Sequence, residues 1–140
     1  MSRAAALALI VGFVAIIGGS RVHAQRPPGW EVRVPEQLEI AVGAAGQLEI
    51  ALAVDRGLAV SKDGSVIIDL TPDAAITIKK RRLGRSDAVD PGADAPRFAI
   101  PVRAQPTGDY SLKLRVRFWL CGAHACRPID TQRIVKVSAR

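Results

Sequence analysis

Ser111-Leu112-Lys113-Leu114-Arg115-Val116-Arg117-Phe118-Trp119-Leu120 alternates without a break. Leu112, Leu114, Val116, Phe118 and Leu120 fall on one parity. Ser111, Lys113, Arg115, Arg117 and Trp119 fall on the other. Successive side chains of a strand point to opposite faces, so this period of two belongs to a half-buried strand. At helical spacing the same apolar residues would scatter around the axis. The stretch therefore sets the fold class as β, and the segments on either side agree with it.

Upstream, the period of two recurs at Val32 and Val34, at Leu38, Ile40 and Val42, and at Leu48, Ile50, Leu52 and Val54. It returns at Val66, Ile68 and Leu70, at Ile76 and Ile78, and at Phe98, Ile100 and Val102. Ile134 to Val137 closes the chain. Turn residues separate these runs: Lys62-Asp63-Gly64, Thr71-Pro72-Asp73 and Pro106-Thr107-Gly108-Asp109. Gly43-Ala44-Ala45-Gly46 lies between two copies of Gln-Leu-Glu-Ile and reads as a hairpin loop. Ser86 to Pro96 has almost no bulky apolar residue and reads as a surface loop. Short strands at this spacing, without helical periodicity after the first residues, predict an antiparallel β-sandwich or small barrel. Aromatic residues make up only 4% of the chain, so Val, Ile, Leu and Ala must fill the core. Trp30 is expected to join it. Trp119 is expected to face outward beside Arg115 and Arg117.

The first residues read as a cleavable secretory signal helix. Arg3 gives a positive start, Ala4 to Ile17 is apolar apart from Gly12, and Val22-His23-Ala24 is a small-x-small cleavage site. The apolar run is shorter than the roughly 20 residues that span a bilayer. The expected organisation is a signal peptide over 1–24, a Pro/Gly-rich linker over 25–29 and one domain over 30–140. The expected location is the periplasm or the exterior, with no stable membrane insertion after cleavage. Losing Arg3 and Arg21 lowers the formal charge from +7 to +5. That excess suits a solvated basic surface, or contact with anionic headgroups or acidic polymers. Nucleic acid is not an expected partner, because the compartment is wrong and no helix gathers the basic residues. No phosphate-binding glycine motif, calcium loop or hydrolytic constellation stands out, and no cofactor is expected.

Chemistry concentrates at the end of the deciding strand. Phe118-Trp119-Leu120-Cys121-Gly122-Ala123-His124-Ala125-Cys126-Arg127-Pro128 holds both cysteines of the chain and the histidine outside the leader. If the strand runs on without a bulge, Cys121 shares the outward parity of Arg117 and Trp119. Three readings compete. Cys121 and Cys126 can be a redox-active disulfide pair, with His124, Arg117 and Arg127 favouring a thiolate. They can be a plain structural clasp on a hairpin in a non-catalytic binding module, contributing about 2 kcal/mol. Or Cys121, His124 and Cys126 can hold copper or zinc, with the fourth ligand coming from a partner.

Read together, these residues resemble the amino-terminal periplasmic domain of DsbD-type thiol:disulfide interchange proteins. The residues that carry the likeness are Gly108, Leu112, Leu114, Phe118, Cys121, Cys126 and Pro128. Upstream, the strand at Leu48 to Val54, then Gly57, Asp69 and a loop before Phe98 follow a similar order, so the likeness covers about 37 to 138. The resemblance implies an immunoglobulin-like sandwich. It implies that Cys121 and Cys126 pass electrons between a redox partner and periplasmic disulfide proteins. That partner would be a thioredoxin-like or membrane thiol-disulfide reductase. The family's membrane and thioredoxin-like domains have no counterpart in these 140 residues, so the electron donor is expected to be a separate protein. On this reading Cys121, Cys126 and His124 do the chemistry, and Trp119, Arg117, Arg127 and Pro128 border the docking surface.

Overall fold

The computed structural model of the chain describes residues 29–140. The expected signal peptide and nearly all of the linker lie outside the described residues.

Two sheets face each other in an immunoglobulin-like sandwich. The first contains β1 (Trp30–Arg33), β3 (Gly46–Val54), β8 (Arg97–Ala104) and β6 (Ile76–Thr77), in the order β1-β3-β8-β6. The second contains β2 (Gln37–Ile40), β10 (Cys126–Ala139), β9 (Gly108–Cys121), β5 (Ile67–Pro72) and β7 (Arg82–Leu83), in the order β2-β10-β9-β5-β7. The short β4 (Ala59–Val60) also pairs with β9, at its cysteine end. Among the described residues, one 3-10 turn spans Arg85–Asp87.

The alternation in the sequence becomes the two faces of β9. Leu112, Leu114, Val116, Phe118 and Leu120 are buried, with relative exposures of 0–2%. Leu48, Ile50 and Leu52 of β3 and Phe98, Ile100 and Val102 of β8 meet them from the facing sheet. Fully burying each such side chain is worth about 1.5–3 kcal/mol, which is what holds the sheets together. Trp30 is half-buried and meets Phe118 edge-on, with ring centroids 6.0 Å apart. Trp119 is 44% exposed on the outer face, as its parity predicts.

Two local expectations fail. Gly43 to Gly46 is not a hairpin loop. The strand before it, β2, runs parallel to β10 in one sheet, and the strand after it, β3, pairs with β1 and β8 in the other. The loop carries the chain between layers, so the echoing tetrapeptides lie on opposite sides of the core. Alternation identifies a strand but not its neighbour. Gly46 is what allows the close approach, because a Cβ there would overlap Ile40 Cγ2. The parallel β2–β10 pairing also departs from a wholly antiparallel expectation. The second failure is Thr71-Pro72-Asp73. Strand β5 continues through Pro72, and the turn follows it, closed by the Ile76 N–H donating to Asp73 O at 3.0 Å.

The Ser86 to Pro96 loop does lie at the surface, yet it is tied down. Ala88 is buried at its start and Pro96 at its end. The Arg85 guanidinium donates to four carbonyls: Pro91 at 2.9 Å, Ala93 at 3.0 Å, and Val60 and Ser61 at 2.8 Å each. One side chain thus joins this loop to the end of β4 and the residue after it.

Candidate redox hairpin

The β9–β10 ladder runs in continuous register from Gly108↔Ala139 to Cys121↔Cys126. No bulge interrupts it, so Cys121 keeps the outward parity of Arg117 and Trp119. Beyond the cysteines, Gly122 N–H donates to Ala125 O at 2.9 Å and closes the turn. Cys121 and Cys126 therefore sit directly opposite each other on two strands, with Cα atoms 4.0 Å apart, and their sulfurs are bonded. Cys121 is half-buried and Cys126 is exposed. The bridge lies on the outer face at the tip of the sandwich, away from the core.

His124 occupies the turn and is exposed. It makes no hydrogen bond or ion pair among the described residues. In this oxidised state the sulfurs are joined to each other. Among the described residues no group of three His, Cys, Asp or Glu side chains is placed to hold a metal ion.

Trp119 and Pro128 are cross-strand partners next to the bridge. The indole rests on Gly64: a Cβ at that position would lie 2.9 Å from Trp119 Cδ1 and 3.2 Å from its Cβ. The loop beneath it is fixed to the strand. Ser61 N–H donates to Trp119 O at 2.8 Å, and Gly64 N–H donates to Ser61 Oγ at 3.0 Å. A shallow groove beside the indole is lined by Ser65, Ile67, Arg117, Trp119, Pro128 and Asp130. A second, more apolar one flanks the bridge on the other side, between Leu58, Leu120, Gly122, Cys126 and Arg127.

Charges on the outer face form a lattice across strands. Arg117 Nη2 donates to Asp69 Oδ2 at 2.7 Å, and Arg82 Nε donates to Asp69 Oδ1 at 2.6 Å. Arg115 grips Asp130 with two bonds, at 3.0 Å and 2.6 Å. The Arg82 hydrogen bond, against partial burial and with help from Arg117, holds the Asp69 carboxyl below its ordinary range. The Arg115 bond does the same for Asp130, again against partial burial. Arg117 is thus committed to Asp69, two residues along the strand from Trp119. Its cationic head is not directed to the sulfurs, which leaves Arg127 as the arginine that lines the groove with Cys126.

Cys121, Cys126, Trp119, Pro128 and Arg127 are brought together at one end of the sheet, as the sequence places them. Gly64, Leu58 and Asp69 complete the surroundings and were not singled out for this site. The turn at Lys62-Asp63-Gly64 was visible in the sequence, but its seat under the indole is a tertiary contact with no local signal.

No protein-family model matches the chain, and no curated protein does. Among solved structures, E. coli alpha-2-macroglobulin is 15% identical with a TM-score of 0.45; the match covers 79% of this chain and 7% of that one. The chain therefore spans only a small part of that protein's length. WR4, an MSP family member of C. elegans, is 10% identical with a TM-score of 0.43, over 78% of this chain and 97% of that one. Murine CRIg is 7% identical with a TM-score of 0.43, over 79% and 98%. These are distant likenesses, and none assigns an activity to this chain.

Proposed function

We propose that this domain is an exported thiol-disulfide exchange module working through the Cys121–Cys126 pair. The observation that carries the reading is the placement of the bridge, outward at a hairpin tip with Cys126 exposed. A second consideration points the same way. The register is already fixed by a long ladder, so a bridge at its end is not needed to set which residues pair.

The chemistry balances with a dithiol protein as reductant. Its thiolate attacks the sulfur of Cys126, the more exposed residue of the two, and forms a mixed disulfide. Cys121 leaves as a thiolate and takes a proton. The partner's second thiol then displaces Cys126, so the partner becomes the disulfide and this domain the dithiol. The reverse sequence oxidises this domain against a disulfide substrate. Trp119 and Pro128 offer an apolar contact beside the sulfurs, and His124 and Arg127 flank them. The signal-like leader and the oxidised pair both suit an oxidising, extracytoplasmic location.

The decisive measurement is the reduction potential of the pair. A value well above about −300 mV, with rapid reduction by a mild dithiol, is the expected result. A lower value, with resistance to that dithiol, would leave the bridge as a clasp.

A second reading rests on a different observation. Strand β2 covers β10 only from Lys136 to Ala139, and the edge from Cys126 to Ile134 has no strand beside it among the described residues. A non-catalytic binding module could add a partner's extended segment there. That edge is blunted: Pro128 lacks an N–H, and Arg133 Nη1 donates to the Gln132 carbonyl at 2.8 Å.

A further inference from the structure

Strand β10 has β9 along the whole of one side. On its other side β2 pairs with Lys136 to Ala139, and the open part, Cys126 to Ile134, continues that same edge among the described residues. The hydrogen bonds at either end fix which backbone groups face it. Lys136 N–H donates to Glu36 O at 3.0 Å and Arg140 N–H to Ile40 O at 3.1 Å, so the even-numbered residues direct their N–H and C=O toward β2. At the hairpin end, Gly122 N–H donates to Ala125 O at 2.9 Å, which makes those two a hydrogen-bonded pair. The next pair, Cys121 and Cys126, is then a non-hydrogen-bonded one, and its 4.0 Å Cα separation fits the closer of the two antiparallel spacings. No bulge lies between, so the alternation carries from end to end.

The open edge therefore presents Cys126 N–H and C=O, Pro128 C=O, and Asp130 N–H and C=O, all on exposed residues. Pro128 has no N–H to offer but keeps its acceptor. Beyond Asp130, the Gln132 carbonyl is already taken by Arg133 Nη1 at 2.8 Å. Such a row of groups is what an extended segment pairs with when it adds itself to a sheet. An antiparallel segment here sets one residue opposite Cys126 as a hydrogen-bonded pair, with Cα atoms about 5.5 Å apart. A disulfide spans Cα separations of about 4.4–6.8 Å. The side chain of that residue falls on the outer face, as Cys126 does.

We infer that the edge from Cys126 to Asp130 is the substrate site of the domain, and that its substrate is a polypeptide in extended form whose cysteine lies opposite Cys126. This rests on the exchange function proposed above. In the dithiol state, the Cys126 thiolate attacks the facing sulfur of the segment's disulfide. The segment's other cysteine leaves as a thiolate and takes a proton. Cys121 then displaces the segment from Cys126, which restores the bridge and releases the segment as a dithiol. The backbone sets the register, so the site reads an extended cysteine rather than a particular sequence around it.

The test uses Cys121→Ser protein with Cys126 carried as its thionitrobenzoate disulfide. A peptide thiolate attacks Cys126 Sγ, coloured thionitrobenzoate leaves, and the mixed disulfide stays trapped. Three versions of one linear peptide are compared: unmodified, N-methylated on the residues two and four before its cysteine, and N-methylated on those three and five before it. The first methyl pair removes N–H groups that face Pro128 and Asp130, and the second removes groups that face away. The first should slow release about 10-fold, and the second should leave it unchanged. In the trapped complex, deuterium exchange of the Asp130 amide should slow relative to a 2-mercaptoethanol adduct. Equal rates for the three peptides, equal slowing by both methyl pairs, or an unprotected Asp130 amide would each overturn the inference and leave the exchange function standing. If a mild dithiol fails to open the bridge of the wild-type protein, the exchange function itself fails and the inference falls with it.

Discussion

Trp119 shows how much one side chain's position depends on its parity and on a distant glycine. Its outward direction was legible in the strand pattern, as was that of Cys121. Its support was not, because Gly64 is far away in the chain and only the folded sheet brings it under the indole. Gly64→Ala should push the ring outward without unfolding the domain. In a Trp30→Phe background, the Trp119 emission should shift to the red, and an unshifted spectrum would contradict the contact. Trp119→Ala should slow reduction by a protein dithiol several-fold and leave reduction by dithiothreitol unchanged. Asp69, Asp87 and Asp130 bear on pH. Each has its carboxyl held below the ordinary range, chiefly by hydrogen bonds from Arg82, Lys80 and Arg115 respectively. Each therefore binds a proton less readily folded than unfolded. Their contribution is fully present above the ordinary carboxylate range, near pH 4, and is lost as pH falls through the lowered values. Melting temperature should decline on acidification below that range. Asp69→Asn should flatten the decline, and an unchanged acid limb in that variant would rule out the linkage.

At the scale of elements, strands were readable wherever apolar residues alternate, and their partners were not. Leu38 and Ile40 announce β2 as clearly as Leu48 and Ile50 announce β3. Nothing local says that one strand joins β10 while the other joins β8, because that choice is made by packing across the core. The loop after the 3-10 turn illustrates the same limit. Its composition reads as plain surface, but Arg85 anchors it through four carbonyls. Arg85→Ala would leave those acceptors to water and release the loop. The expected cost is about 2–4 kcal/mol, from hydrogen bonds to a charged group worth roughly 1.5–3 kcal/mol each before solvent replaces them. Limited proteolysis should cut the variant between Ser86 and Pro96 and spare the wild type. Equal resistance would show that the clamp does not hold the loop.

Across the whole molecule, the sandwich owes its stability to the apolar seam between sheets more than to its single covalent link. Leu114→Ala, at 1% exposure, should cost about 2–5 kcal/mol. Cys121→Ser/Cys126→Ser opens only a very short loop and should cost about 2 kcal/mol in the chain-entropy picture. Calorimetry should find the double serine variant folded, with a melting temperature lower by roughly 10 °C. Failure to fold would make the bridge a structural necessity.

The unbroken register beneath the hairpin tip has one more consequence. After reduction, the two thiols would stay on facing positions of a ladder that does not need them. Their effective concentration toward each other would remain high, and neither strand would have to rearrange before the next turnover. Such a domain would cycle between its two oxidation states as a stiff body, offering both to its partners in the same shape.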